Sequence, residues 1–387
     1  MTAPRLEIDL DKILHNAATL VSRLNDREIS VTGITKAMLG APVLANTLLA
    51  AGVAGLGDSR IENIERMREA GISAPITLIR SPMISQSSRV VANANVSLNT
   101  EMEVIQNLSA AAKDRGLNHG VVLMLELGDL REGIMPRDLE DIVRKTIQLP
   151  NITLAGIGTN LACRSGVSPD HQNMAELSKL TDSIEAKFGI DLKIVSGGNS
   201  ANLNWVTDEN HPMRINNLRL GESILLGREP LHRQPIEGLY TDAIALIAEV
   251  IETKVKPKQP WGKFAQNAFG TVSPKQDFDS ASKQNILQSI LAIGNQDTDS
   301  TGLQMPFGVT TLGASSDHLI VDTGKVAFPP GTEMVMYPNY NGLVRAMTSP
   351  FVAKLWKPAE IQEFSSHATH VTGIDRGSIQ PTTPTTR

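Results

Sequence analysis

About eight short apolar runs, most of them separated by amphipathic helical stretches, constrain this chain more than any other feature. They are Ile29 to Thr35, Val53 to Gly57, Ile76 to Ile79, Val96 to Leu98, Val121 to Leu125, Leu154 to Gly158, Lys193 to Val195, and Leu218 with Ile224 to Leu226. Runs this short and this rich in Val, Ile and Leu read as strands buried on both faces, which is the condition of a parallel sheet. Between them lie helical patterns such as Thr100 to Arg115 and Pro136 to Gln148. Successive βα units of this number predict an α/β fold, a (β/α)8 TIM barrel. A doubly wound open sheet is the alternative that counting alone leaves standing.

Beyond about Leu231 the texture changes. Ala243 to Val250 is a long apolar stretch, and Pro- and Gly-punctuated pieces follow at Ile290 to Ile293, Val309 to Leu312, His318 to Val321, Glu333 to Met336 and Phe351 to Leu355. Helical periodicity nearly vanishes there, and turns such as Asp322-Thr-Gly and Pro329-Pro-Gly join the pieces. This predicts a barrel over 1–231, an all-β C-terminal domain over 232–375, and a tail over 376–387 with nothing to bury, expected to be disordered.

Several function classes are disfavoured by composition. With 387 residues the chain exceeds one ordinary core. A net charge of -5, with 36 basic residues dispersed along the chain, offers no stripe for nucleic acid. Cys163 is the single cysteine, so no internal disulfide can form, and the N-terminus lacks a signal peptide's apolar stretch. The protein is therefore expected in the cytoplasm. No apolar run approaches the roughly 20 residues needed to span a bilayer. The 8 histidines are scattered without ligand spacing, and no catalytic metal is expected.

In a barrel, chemistry gathers where strands end. The first run delivers Lys36, where a lysine can be desolvated enough to become a nucleophile near neutral pH, although a strand-end lysine can also simply snorkel into water. Later runs deliver Asp58-Ser-Arg60, Arg80-Ser81, Glu126 through Asp129 with Arg131, and Thr159-Asn160. The seventh ends in Ser196-Gly-Gly-Asn-Ser200, a turn whose backbone N–H groups and serine hydroxyl can hold a phosphate, and the eighth in Arg219-Leu-Gly221-Glu222. Each turn alone reads equally as a tight turn with an N-cap. A desolvated lysine opposite a phosphate site, with arginines between them, is what a pyridoxal 5′-phosphate enzyme requires. An arginine such as Arg219 beside the ring nitrogen would leave it neutral, an arrangement suited to simple proton exchange at Cα.

These residues carry a resemblance. From Arg5-Leu-Glu-Ile-Asp-Leu to Met347-Thr-Ser-Pro-Phe-Val the chain resembles the alanine racemase fold of pyridoxal phosphate enzymes, and more closely its ornithine racemase-like branch. Its matching pieces include Thr35-Lys36, Gly57-Asp-Ser-Arg60, Glu126 to Gly133, Gly156-Ile-Gly-Thr-Asn160, Ser196 to Ser200, Leu218 to Glu222 and Leu312 to His318. The resemblance implies an amino-acid racemase in which Lys36 holds the cofactor and exchanges a proton with Cα. It implies phosphate binding by Ser200, the backbone around Gly221 and Glu222, and Tyr340. It places Arg219 at the pyridine nitrogen, Arg131 near the phenolic oxygen and the substrate carboxylate, and Asn160 where alanine racemases usually carry a histidine. It also implies a homodimer with shared active sites.

The departures bear on mechanism. Alanine racemases supply a second catalytic base as a tyrosine from the β domain, in a stretch corresponding to Gln266-Asn-Ala-Phe-Gly270, and Phe269 cannot take a proton. Asp317 and His318, in a Ser-Ser-Asp-His turn, are the replacement candidates, although such a turn pair reads equally as a solvated cap. The ornithine-like resemblance points to a diamino acid, ornithine or lysine, with alanine or serine as further possibilities. Its side-chain ammonium would want a carboxylate, for which Glu126, Asp129 and Asp297 are candidates. A decarboxylase or aldolase needing one base, and a non-catalytic carrier of the cofactor, are the competing readings. Carriers on this barrel lack the extra β domain, so the residues after Leu231 count against the second.

Overall fold

The structure is a computed structural model that describes residues 3–208, 213–263, 265–266 and 284–357. Phe269 and the tail 376–387 lie outside the described residues. The chain opens with strand β1 (Arg5–Asp9) and helix α1 (Leu10–Asn25), whose N-cap Asp9 accepts a bond from the Lys12 backbone N–H at 3.1 Å. Eight parallel strands then close into a barrel in sequence order: β2 (Ser30–Ile34), β3 (Gly55–Asp58), β4 (Ile76–Leu78), β5 (Val96–Asn99), β6 (His119–Leu125), β7 (Ile152–Thr159), β8 (Ile194–Gly198) and β9 (Asn217–Leu220). The seam closes with Val31 beside Leu218.

The continuous apolar runs follow from this closure, because both faces of each strand are covered. Along β6, Val121, Leu123 and Leu125 join the large core shared with the helices, while Val122 and Met124 pack with Leu98 in a separate interior cluster. The barrel interior also has a polar side. Arg219 Nη1 donates to Ser196 Oγ at 2.5 Å, Ser196 Oγ donates to Asn217 Oδ1 at 2.8 Å, and Asn217 Nδ2 donates to Thr32 Oγ1 at 3.0 Å. One expected strand piece is corrected: Ile224 to Leu226 belongs to a short helix (Glu222–Leu226), because Gly221 ends β9 and three buried apolar residues fit a helical turn as well as a strand.

A second sheet, largely antiparallel, follows the barrel. In chain order its strands are β10 (Ile244–Pro257), β11 (Asn285–Leu291), β12 (Leu303–Gln304), β13 (Thr310–Ala314), β14 (Leu319–Asp322), β15 (Glu333–Pro338) and β16 (Ala353–Lys357), and they pair in the order β12-β15-β10-β11-β14-β13, with β16 joined through β1. Residues 5–9, which sequence order groups with the barrel, pair in this sheet: Leu6 lies beside Leu246 of β10 and Lys354 of β16. The sheet also carries a helix, Tyr340–Thr348, in a region where helical periodicity was not expected. Asn339 caps it by accepting the Gly342 N–H at 2.9 Å, and the helix packs on the turn Lys36–Met38. That contact brings the second domain to the mouth of the barrel. Among the described residues no helix is long and apolar enough to cross a membrane.

Candidate active site

A cavity of about 660 Å³ opens at the C-terminal ends of the barrel strands. Lys36 follows β2 at the start of a 3-10 turn, reaches into this cavity and holds its Nζ 5.8 Å from the centre of the Tyr340 ring. The side chain meets solvent in the cavity yet has protein on its flanks, so burial pulls its pKa below the ordinary lysine value, with Arg131 and Arg219 pulling the same way and Asp58 opposing. Thr35, one residue earlier, donates to Asp58 Oδ2 at 2.7 Å, and Asp58 Oδ1 accepts the Arg60 backbone N–H at 2.9 Å and Asn63 Nδ2 at 3.0 Å. The lysine turn is therefore tied to the end of β3. Burial also shields the Tyr340 phenol and pushes its pKa well up.

On the cavity floor, Arg219 donates through Nη2 to Thr159 O at 2.8 Å and to Asn160 Oδ1 at 3.2 Å. Burial lowers the guanidinium to about 10, which leaves it charged at neutral pH. Asn160 Oδ1 also accepts from Asn199 Nδ2 at 3.1 Å, whereas Asn160 Nδ2 is buried with no partner. An unpaired buried donor costs free energy unless something fills it. Beside it, Ser200 Oγ lies 2.9 Å from Ser223 Oγ and accepts the Ser223 backbone N–H at 3.2 Å. This junction of the β8 and β9 loops depends on Gly198, whose φ of +144° suits glycine and whose added Cβ would fall 2.2 Å from Asn202 Oδ1. Glu222 lines the same side and pairs with Arg233.

The loop after β6 forms the opposite wall. Glu126 accepts the backbone N–H groups of Gly128 at 2.7 Å, Leu130 at 2.9 Å and Arg131 at 3.3 Å. Asp129 is 1% exposed and accepts from the backbone of Arg164 at 3.0 Å and Ser165 at 2.9 Å. So fixed, the loop presents Arg131 and Glu132 to the cavity as a forked ion pair, with Arg131 Nη2 donating to Glu132 Oε1 at 2.6 Å.

The structure thus brings together Lys36, Arg131, Asn160, Ser200, Arg219, Gly221, Glu222 and Tyr340 around one cavity. It does not bring Glu126, Asp129 or Asp297 there. Glu126 and Asp129 organise loop backbone, and Asp297, 4% exposed, accepts from Ser349 Oγ at 2.9 Å and Gly294 N at 3.3 Å inside the second domain. Asp317 and His318 bond to each other at 2.8 Å on the exposed β13–β14 turn, away from this chain's own cavity lining. His318 and Ser316 hold the Asp317 carboxyl below its usual range. Sequence reading missed Glu132, Cys163 and Arg233 on the cavity wall and Ser223 behind Ser200. Ser223 directly follows the Gly221-Glu222 turn already singled out, and Glu132 directly follows Arg131, so adjacency was the available signal. No cluster of three potential metal-ligating side chains occurs among the described residues.

The residues fit pyridoxal phosphate: a lysine of lowered pKa, a hydroxyl and backbone turn for a phosphate, and an unpaired amide donor lining the same cavity. Comparison with known proteins agrees. Residues 8–229 match the family described as alanine racemase, N-terminal domain. The lysine racemase of Thermotoga maritima is 36% identical over 363 residues, 93% of this chain and 100% of that protein. The ornithine racemase of Acetoanaerobium sticklandii is 34% identical over 356 residues, 91% and 99% of the two chains. In fold the chain is similar to the alanine racemase of a D-cycloserine-producing Streptomyces lavendulae, with a TM-score of 0.70 at 18% identity over 93% of this chain and 98% of the other. The chain belongs to the alanine racemase family and is a pyridoxal phosphate-dependent amino-acid racemase.

Proposed function

We propose that this racemase interconverts the L and D forms of a diamino acid, lysine or ornithine, in a cavity organised by Lys36. The observation that carries the site reading is the convergence of Lys36, Asn160, Ser200, Arg219 and Tyr340 on one cavity from both domains. The substrate class is supported by the two near-full-length relatives, named for lysine and ornithine. When bound, the cofactor withdraws electrons from Cα of the amino acid and makes its proton labile.

In this reading the chain's residues divide the work. Lys36 anchors the cofactor, and its lowered pKa suits it to take and return a proton on one face of Cα. Ser200 Oγ and the backbone at Gly221 and Glu222 hold the phosphate, with Tyr340 closing over it from the second domain. Arg219, charged and fixed by Thr159 and Ser196, would donate to the pyridine nitrogen and leave it unprotonated, a weaker electron sink than a protonated ring. Asn160 offers its free Nδ2 to the ring, and Arg131 takes the substrate α-carboxylate. We assign the second proton exchange to the Asp317–His318 pair of a second copy of the chain in a homodimer; in its own copy the pair lies on an exposed turn outside the cavity lining. A cytoplasmic site of action accords with this role.

Borohydride reduction of the cofactor-loaded protein, followed by peptide mapping, tests the anchor. A reduced cofactor on Lys36 is expected. Reduction at another lysine, or none after incubation with pyridoxal phosphate, would remove the reading.

A further inference from the structure

From the charge balance of the cavity we infer that Glu132 is the carboxylate that receives the distal ammonium of the substrate, and so the residue that selects diamino acids. The inference rests on the diamino-acid reading above. Among the described residues the cavity wall carries five basic side chains, Lys36, Arg80, Arg131, Arg219 and Arg233, against two carboxylates, Glu132 and Glu222. A second ammonium moved from water into such a wall gains nothing unless a carboxylate meets it.

The two carboxylates are not equivalent. Glu222 opens a helical turn directly before Ser223, the partner of Ser200, and its side chain, 14% exposed, is paired with Arg233. It sits on the phosphate side. Glu132 stands on the other wall, its side chain 33% exposed, beside Arg131. The loop that bears it is built for placement. Three backbone N–H groups close on Glu126, and Gly133 lies so tightly under the loop that a Cβ there would be 2.5 Å from Glu126 N. Ile134 then rejoins the barrel by donating its N–H to Met124 O at 2.7 Å.

A substrate carrying both an α-carboxylate and a distal ammonium offers each member of the Arg131–Glu132 pair an opposite charge. The exchange keeps both protein charges matched in the filled cavity. A neutral side chain of the same length leaves Glu132 with Arg131 alone.

The test compares kcat/KM for L-ornithine with L-norvaline, and L-lysine with L-norleucine, in the wild type, E132Q and E132D. In E132Q, which keeps the shape and removes the charge, the diamino-to-neutral ratio is expected to fall about 10- to 100-fold, chiefly through KM, with partial recovery in E132D. The visible cofactor band reports that E132Q remains folded and loaded. An equal loss on both members of each pair would mean that Glu132 only positions Arg131, and an unchanged ratio would remove it from recognition; either overturns the inference. A wild type that racemises alanine but neither diamino acid would instead overturn the substrate class on which it rests.

Discussion

The two walls of the cavity are built on different principles. On the side of β8 and β9, Ser200, Ser223 and Gly198 form a tight turn junction held by short contacts between neighbouring loops. On the side of β6 and β7, Glu126 and Asp129 hold a longer loop by accepting its own backbone and that of residues 164–165, and the loop displays a charged pair. The first wall suits a ligand that is always the same, and the second suits discrimination among substrates. A barrel permits this division because each strand contributes its loop independently.

The largest effect is expected at the junction of the walls. Lys36→Ala should lower racemisation by at least about 10³-fold, measured by chiral chromatography, and abolish the borohydride-trapped link. Next, the strand beneath the substrate wall should be the acid-sensitive one. His119, at the start of β6, is 1% exposed, bonds to Ser97 Oγ at 2.8 Å, and is lowered by burial from 6.5 to about 4. A depressed histidine pKa means that the unfolded chain takes up a proton first, so stability is full above pH 6.5 and falls as the pH drops toward 4. The loss approaches about 3 kcal/mol. Urea unfolding at the two ends of that window should show this slope in the wild type and its loss in His119→Gln.

Two smaller predictions separate the walls directly. Glu126→Ala should free the substrate loop and lower kcat/KM about 10- to 100-fold while leaving cofactor affinity nearly unchanged. Ser200→Ala should weaken cofactor binding about tenfold and leave kcat nearly unchanged at saturating cofactor. Absorbance titration with kinetics distinguishes them, and reversal of the pattern would break the division. The smallest effect concerns the cofactor-free protein. Because the Lys36 pKa is lowered, the unfolded state binds more protons between that lowered value and 10.5, so stability rises with pH across the interval. Lys36→Met should flatten that rise in thermal melts and raise the midpoint at neutral pH.

Much of this arrangement was legible in the sequence. The apolar runs marked the strands because both of their faces are buried, and Lys36, Ser200 and Arg219 stand directly at or after strand ends, where direction into the cavity follows from strand polarity. The substrate loop was less legible. Glu126, Asp129 and Glu132 are carboxylates on one loop, and which of them faces the cavity depends on Gly128 at φ +127° and Leu130 at φ +53°, local turns that residue type does not announce. Pairing of β1 with β10 and β16 was hidden for a different reason, since its partners lie more than two hundred residues away. The helix Tyr340–Thr348 was hidden by the Pro- and Gly-rich sequence around it.

The most direct measurement is conversion of L-ornithine and L-lysine by the cofactor-loaded protein in D2O, followed by chiral chromatography and mass spectrometry. Expected is an approach to equal amounts of the two enantiomers, with one deuterium incorporated at Cα of the product. A protein that carries the cofactor on Lys36 yet leaves both amino acids as the L form, without deuterium, would contradict the assignment.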